Sequence, residues 1–274
     1  MHGTPAPDPG PPAPGVDTTV PHSARVYDWW LGGKDNYAVD REMGRAFVDA
    51  IPTVRFMARQ NRDFMHRAVR HLVREAGIRQ FLDIGTGIPT SPNLHEVAQA
   101  VAPESRVVYV DNDPVVLLHA RALMISAPQG RSAYIQADLT DPAGLLDDPV
   151  LTATLDLDRP VALTLVAILM LLDDEDDPWG KVRGLLDALP SGSHVVISHP
   201  GPEFDPGAIG RVTAHAREAG MTLVPRTRTD VARFFADWEW VAPGIVPVMA
   251  WHPEARRPID PEAAYYWAGV ARKP

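Results

Sequence analysis

FLDIGTGIPT, residues Phe81 to Thr90, places an acid and two glycines directly behind an apolar run. An apolar run that breaks into a glycine turn is how the first strand of an open α/β sheet feeds its first helix, and ligands settle beyond the carboxyl ends of such strands. Gly85 and Gly87 let the backbone take positive φ and let a ligand approach more closely than any Cβ allows. Tight turns use glycine pairs for structural reasons too, so the residues beyond the turn decide between the two roles.

Past Thr90, short apolar runs alternate with helical periodicity, the signature of a parallel sheet flanked by helices. The strands expected are Gln80 to Ile84, Arg106 to Val110, Ser132 to Ala137, Pro160 to Leu169 and His194 to Ser198. Asp113-Pro114 and Asp177-Pro178 open helices, with proline at the first helical position where its missing N–H costs nothing. In the last quarter, WEWVAPGIVPVMAW and AYYWAGVARKP read as an antiparallel hairpin joined through a proline-rich loop.

Two more acids fall at predicted strand ends. Asp111 follows VVYV at the offset where nucleotide-binding folds place a carboxylate for ribose hydroxyls. A helix cap is the plainer role for an acid there, but Asp113 fills it. Asp138 follows SAYIQA and is either a turn residue or, with the strands side by side, an acceptor for an adenine amino group. The third glycine of a dinucleotide fingerprint is absent, its place taken by Thr90 after Pro89, and Asp83 stands ahead of the first glycine.

An Asp-x-Gly-x-Gly turn with acids closing the second and third strands resembles the class I S-adenosylmethionine-dependent methyltransferases. More closely, ARVYDWWLGGKDNY, FLDIGTGIPT, NLHEVAQ, RVVYVDNDPVVLLHARAL, PVALTLVAIL and GVARKP together resemble a bacterial family assigned to that class and formerly known only as a domain of unknown function. The resemblance covers nearly the whole chain past residue 19. It implies a Rossmann-like α/β fold with a seven-stranded, mostly parallel sheet, a terminal antiparallel hairpin and an N-terminal helical cap.

It also implies S-adenosylmethionine as cofactor. Asp83, Gly85, Thr86 and Gly87 would touch its methionine end, Asp111 its ribose and Asp138 its adenine, with Asn112, Leu139, Ala167, Tyr27 and Lys34 as further contacts. Where such chains often carry Ala-x-Leu-His after the fourth strand, this one has Ala167, Ile168, Leu169 and Met170. A base or positioning group that the histidine supplies would be missing here.

Upstream of the turn, residues 1–19 are rich in proline and glycine and read as a disordered tail. Residues 20–77 read as a helical cap or lid, and 78–274 as the cofactor-binding domain. In the cap, Met43, Phe47 and Ile51 recur at turn spacing after a possible Asp40 cap, and Met57 to Val73 form a second apolar stripe after Thr53, ending at Gly77. Arg55, Arg59, Arg62, Arg67, Arg70 and Arg74 on that helix read as a solvated face.

The 274-residue chain has no cysteine, which excludes disulfides, thiolate nucleophiles and cysteine-ligated metals and fits a reducing compartment, so a cytoplasmic location is expected. A net charge of -9 argues against nucleic acid as a partner. The longest apolar segment, Val161 to Leu172, is too short to cross a bilayer. The Asn/Asp-Pro-Pro-aromatic signature of enzymes that methylate DNA bases or protein glutamine is absent, since the fourth strand runs into LLDD.

Methyl transfer from a sulfonium needs alignment above all, and a general base only where the acceptor must shed a proton. No metal is needed, and the acidic run Asp173 to Asp177 reads as a solvated loop at a helix start. His199 after the fifth strand and Tyr27 in the cap are the catalytic candidates, with Lys34 and Asp35 in a loop over the pocket and Arg59 and Asn61 at its mouth. The expected function is transfer of a methyl group to a small molecule. The rival readings are a cofactor-binding sensor without transferase activity and an NAD-dependent oxidoreductase.

Overall fold

Period-two alternation in the apolar runs gives five mutually parallel strands: β1 (Gln80–Ile84), β2 (Arg106–Asp111), β3 (Arg131–Gln136), β4 (Ala162–Val166) and β5 (His194–Pro200). The computed structural model describes residues 16–123, 126–253 and 260–274, with the side chains of 120–123 left out. Three antiparallel pieces complete the sheet, β6 (Glu239–Trp240), β7 (Val246–Pro247) and β8 (Tyr266–Arg272), in the order β3-β2-β1-β4-β5-β8-β6 with β7 also on β8. The chain leaves β1 toward β2 and β3, then returns to place β4 on its other side. The crevice at that reversal is where α/β sheets bind ligands.

Ten helices among the described residues surround the sheet. The cap is built of α1 (Ser23–Leu31), α2 (Ala38–Ala50) and α3 (Val54–Arg74). The others are α4 (Leu94–Gln99), α5 (Pro114–Leu123), α6 (Pro142–Leu146), α7 (Pro149–Thr154), α8 (Pro178–Ala188), α9 (Pro206–Glu218) and α10 (Arg228–Arg233). The Asp-Pro start recurs beyond the two places where the sequence announces it. Asp113, Asp141, Asp148, Asp177 and Asp205 each accept a first-turn N–H ahead of a proline at the first helical position.

Successive residues of each central strand serve opposite faces. Phe81, Val107, Tyr109, Ala162 and Val196 join a core with Val26, Trp30 and Phe47 of the cap and Phe64 and Leu72 of α3. Leu82, Val108, Val110, Leu163 and Ile197 join a second core with Val182, Leu185 and Leu186 of α8 and Phe234 and Phe235. The result is three layers, helices on both faces of one sheet. Among the described residues no helix is long and apolar enough to cross a membrane.

Several boundaries differ from the sequence reading. The fourth strand is Ala162–Val166 instead of Pro160 to Leu169, because Ala167 takes a φ of 55° and a 3-10 turn, Leu169–Leu171, follows. The first arm of the hairpin is broken into the two-residue pieces β6 and β7, with Pro243 between them and Pro247 within the second; proline has no N–H for a ladder. Asp40 lies inside the first turn of α2 and accepts from the N–H groups of Tyr37 and His22, at 2.8 and 2.9 Å, while Tyr37 holds the cap position. Arg67 leaves the solvated face: it is buried, donating to the carbonyls of Trp251 and Val248.

Residues 1–15 of the segment read as a tail lie outside the described residues. From Val16 the chain is held against the fold, with Val16 packed on Ile88, Val115 and Val116 and the Asp17 carbonyl accepting from Arg25 at 3.0 Å.

Candidate functional site

The parallel strands end at one edge, so the turns after β1, β2, β3 and β4 face a common space. A cavity of about 550 Å³ opens there, and it is roofed by the cap helices. Asp83, Gly85, Thr86, Gly87, Asp111, Asn112, Asp138, Leu139 and Ala167, expected from sequence as cofactor contacts, all line this cavity.

The turn after β1 is braced by its own acids. Asp83 accepts from Thr164 Oγ1 of β4 at 2.5 Å and from Thr86 Oγ1 at 3.3 Å. Burial pushes its carboxyl up to about 6, and the hydroxyl donors and the nearby Arg62 offset only part of that. Asp111, 9% exposed, accepts from Gly87 N at 2.7 Å with one oxygen and from Asp113 N at 3.0 Å with the other. Its carboxyl is also raised, by burial above all, so two backbone donors do not fully replace water; further donors from a ligand would lower it again. Asp138 is exposed; Asn112 Nδ2 donates to it at 2.9 Å and Thr140 N at 2.8 Å.

The two glycines do different things. Gly85, φ 75°, has the Ile168 side chain 2.5 Å from where a Cβ would stand. Gly87, φ 67°, has open space there. Gly85→Ala is therefore expected to lower thermal stability by colliding with Ile168, whereas Gly87→Ala meets only the backbone cost of positive φ, on the order of 1 kcal/mol, and carries a methyl group on the cavity wall. Thermal unfolding with and without ligand checks this: the first variant loses stability, the second mainly the ligand-induced shift. After β4, Ala167 is held at positive φ, its N–H donating to the carbonyl and Oγ of Ser198, both at 3.1 Å. Strain of that kind in a cavity wall is what ligand sites retain.

The cap closes the other side. Tyr27 and Trp30 of α1 and Asn61, Arg62 and Met57 of α3 are wall residues. Tyr27 donates to the Ala58 carbonyl at 2.9 Å, so its oxygen must accept from Asn61, whose Nδ2 lies at 3.2 Å. That fixes the amide orientation and leaves Asn61 Oδ1 buried without a hydrogen-bond partner. A buried acceptor left in that state costs about 1–3 kcal/mol.

Four expected site residues, Lys34, Asp35, Arg59 and His199, are not on the wall. Lys34 is exposed on the loop after α1 and does not line the cavity; the same loop turns inward through Asn36, which donates to Asp28 at 2.7 Å. His199 is fully buried and not on the wall, because β5 runs on to Pro200 and pairs with β8. Its ring stacks on Phe234, with Arg226 Nη1 at 3.3 Å, and burial lowers it to about 3, the Arg226 charge adding to that. It is no base for the cavity. Arg59 is exposed and also absent from the wall.

The sequence reading missed the strap Val20 to Ala24, the segment Gly220 to Leu223 and Tyr266 of β8, all cavity-lining. Nothing local marks them, since each reaches the site from a distant part of the chain. Met170, at the position where the resembling family often has histidine, lines the cavity from the turn after β4.

A sheet ordered β3-β2-β1-β4-β5-β8-β6 with an acid-glycine turn at its reversal is that of a class I S-adenosylmethionine-dependent methyltransferase. The comparisons agree: residues 10–274 match the model of a family described as S-adenosyl methyltransferase, and the chain belongs to that family. A DUF574 family protein from Streptomyces avermitilis is similar over 94% of this chain and 99% of its own, at 54% identity and a TM-score of 0.91. A protein from Thermobifida fusca described as a putative methyltransferase is 39% identical over 95% of this chain and 97% of its own, with a TM-score of 0.87. An O-methyltransferase family protein from Burkholderia thailandensis, 14% identical over 84% of this chain and 62% of its own, shares the fold at a TM-score of 0.52. No curated protein matches the chain.

Proposed function

We propose that the protein transfers the methyl group of S-adenosylmethionine to a small molecule held between the strand tips and the helical cap. The observation that carries this reading is the roofed cavity, whose wall combines the Asp83 to Gly87 turn, Asp111 and Asp138 with the apolar underside of the cap. Cavities of this size take small ligands. The cofactor supplies an activated methyl on a sulfonium. The chain's own residues bind and orient: Asp83 takes the α-amino group, Asp111 the two ribose hydroxyls and Asp138 the adenine amino group.

Gly87 leaves room for close approach, and the Tyr27 and Trp30 side of the roof excludes water. Holding the acceptor atom and the methyl group in line at short distance supplies acceleration through effective concentration. The sensor reading shares the first half of this account and lacks the acceptor.

Calorimetry with S-adenosylhomocysteine and NAD, followed by transfer of labelled methyl from S-adenosylmethionine to a metabolite extract, tests the proposal. Binding of the former alone and a labelled small product support it; binding of NAD alone, or no labelled product from a well-folded protein, contradicts it. The raised Asp83 carboxyl adds a pH signature. Below about 6 Asp83 is protonated and cannot accept from an ammonium without losing its proton, so S-adenosylhomocysteine affinity should fall as the pH drops through 6, by about tenfold per unit, and level off above it. Isothermal titration from pH 5 to 8 reads this directly, and Asp83→Asn should flatten the profile.

A further inference from the structure

S-adenosylmethionine ends in an α-amino acid, so a site for it must hold an ammonium and a carboxylate that share one carbon. Asp83 answers the ammonium. The carboxylate needs a cation of its own beside Asp83, because a charge taken out of water without a partner is strongly disfavoured.

Among the described residues, His22 and Arg62 are the wall side chains able to carry positive charge. His22 lies on the strap, with Nδ1 3.1 Å from Asp113 and close enough to act on Asp111, so it stands at the ribose side. Arg62 stands at the other end. It projects from α3, and its charge acts on the Asp83 carboxyl and the Tyr27 hydroxyl. Its Nη2 donates to the carbonyls of Thr90 and Pro92, just past the glycine turn.

Those two bonds hold the guanidinium against the loop without neutralising it, since a carbonyl carries no net charge. Among the described residues, Nε and Nη1 have no hydrogen-bond partner and no carboxylate pairs with Arg62. The side chain is half-buried. An arginine fixed at one nitrogen, with its remaining N–H groups at a cavity wall, is suited to a carboxylate, because hydrogen bonds between ionised partners are the strong ones.

Resting on the reading of the cavity as an S-adenosylmethionine site, we propose that Arg62 is the counter-ion of the cofactor's α-carboxylate, donating to it from Nε and Nη1 while Asp83 takes the ammonium on the same carbon. The amino-acid end of the cofactor is then clasped between the turn after β1 and the cap helix α3. The same arginine ties that helix to the loop at Thr90 and Pro92, so one side chain braces the cap and reads the ligand. Adenosyl compounds without the carboxylate are discriminated against at this point.

The test is calorimetry on the full chain with three ligands. S-adenosylhomocysteine carries both charged groups; its decarboxylated analogue keeps the amine and loses the carboxylate; methylthioadenosine lacks both. The parent should bind S-adenosylhomocysteine about 10- to 100-fold more tightly than the decarboxylated analogue, the range for a hydrogen bond to a charged group. In Arg62→Met that ratio should fall to about threefold or less, with methylthioadenosine affinity within about twofold of the parent as the sign of an intact pocket. If that variant does not fold, Arg62→Gln, which keeps an N–H for the loop carbonyls and drops the charge, carries the same expectation.

A parent that does not prefer S-adenosylhomocysteine over the decarboxylated analogue overturns the proposal. So does a ratio unchanged in the variants, whether the affinities hold or fall together, and this hands Arg62 to the acceptor or to the loop alone. Both results leave the cofactor reading intact, because the adenosyl ligands still bind. Binding of none of the three to the folded parent overturns both.

Discussion

Asp111→Ala is expected to weaken S-adenosylhomocysteine binding by about 100-fold or more. A carboxylate accepting from two ribose hydroxyls gives up two charge-assisted hydrogen bonds, each worth about 1.5–3 kcal/mol, and every 1.4 kcal/mol is about a factor of ten in affinity. The substitution also releases Gly87 N and Asp113 N, which Asp111 holds at 2.7 and 3.0 Å, so the glycine turn loses its brace as well as its ligand contact. Asp111→Asn separates the two effects. It keeps the shape and one acceptor but loses the charge, and should fall between parent and alanine variant. Calorimetry reads both, and an alanine variant with parental affinity would remove Asp111 from the ribose role.

Arg226→Leu is expected to cost about 3–5 kcal/mol of stability, the range for opening a buried charge-paired network. Arg226 is 4% exposed and ties three chain segments together. It donates to the Leu169 and Leu172 carbonyls at 2.8 Å each and to Asp174 at 2.7 Å, and it faces His199 Nε2. Leucine leaves those two carbonyls without their donor in the turn that presents Met170 to the cavity. In a chain of this size, thermal unfolding should show a fall in Tm on the order of 10 °C. A shift within a degree or two would show that solvent takes over the donors' place at these carbonyls and at the exposed Asp174.

The residues whose position in the fold is legible from sequence are those whose placement is local. Asp83, Gly85, Gly87, Asp111 and Asp138 each terminate a strand whose alternation is visible in the chain itself, and parallel strands in one sheet must bring those ends to one edge. His199 is misplaced by a local reading because its fate is decided by partners far along the chain: β8 extends β5 by pairing His199 with Trp267, and Phe234 and Arg226 close over it. Lys34 follows two glycines and looks like a loop over the pocket, yet the inward-facing residue of that loop is Asn36, captured by Asp28. The same limit hides Tyr266 and the strap around His22, whose approach to Asp113 at 3.1 Å no local pattern announces.

The position of the adenosyl group is the most direct test of the proposed function. A crystal structure of the protein with S-adenosylhomocysteine should place both ribose hydroxyls within hydrogen-bonding distance of Asp111, the adenine amino group beside Asp138 and the sulfur facing the underside of the cap. A ribose away from Asp111, or a ligand lying outside the cavity between the glycine turn and α1 to α3, would contradict it.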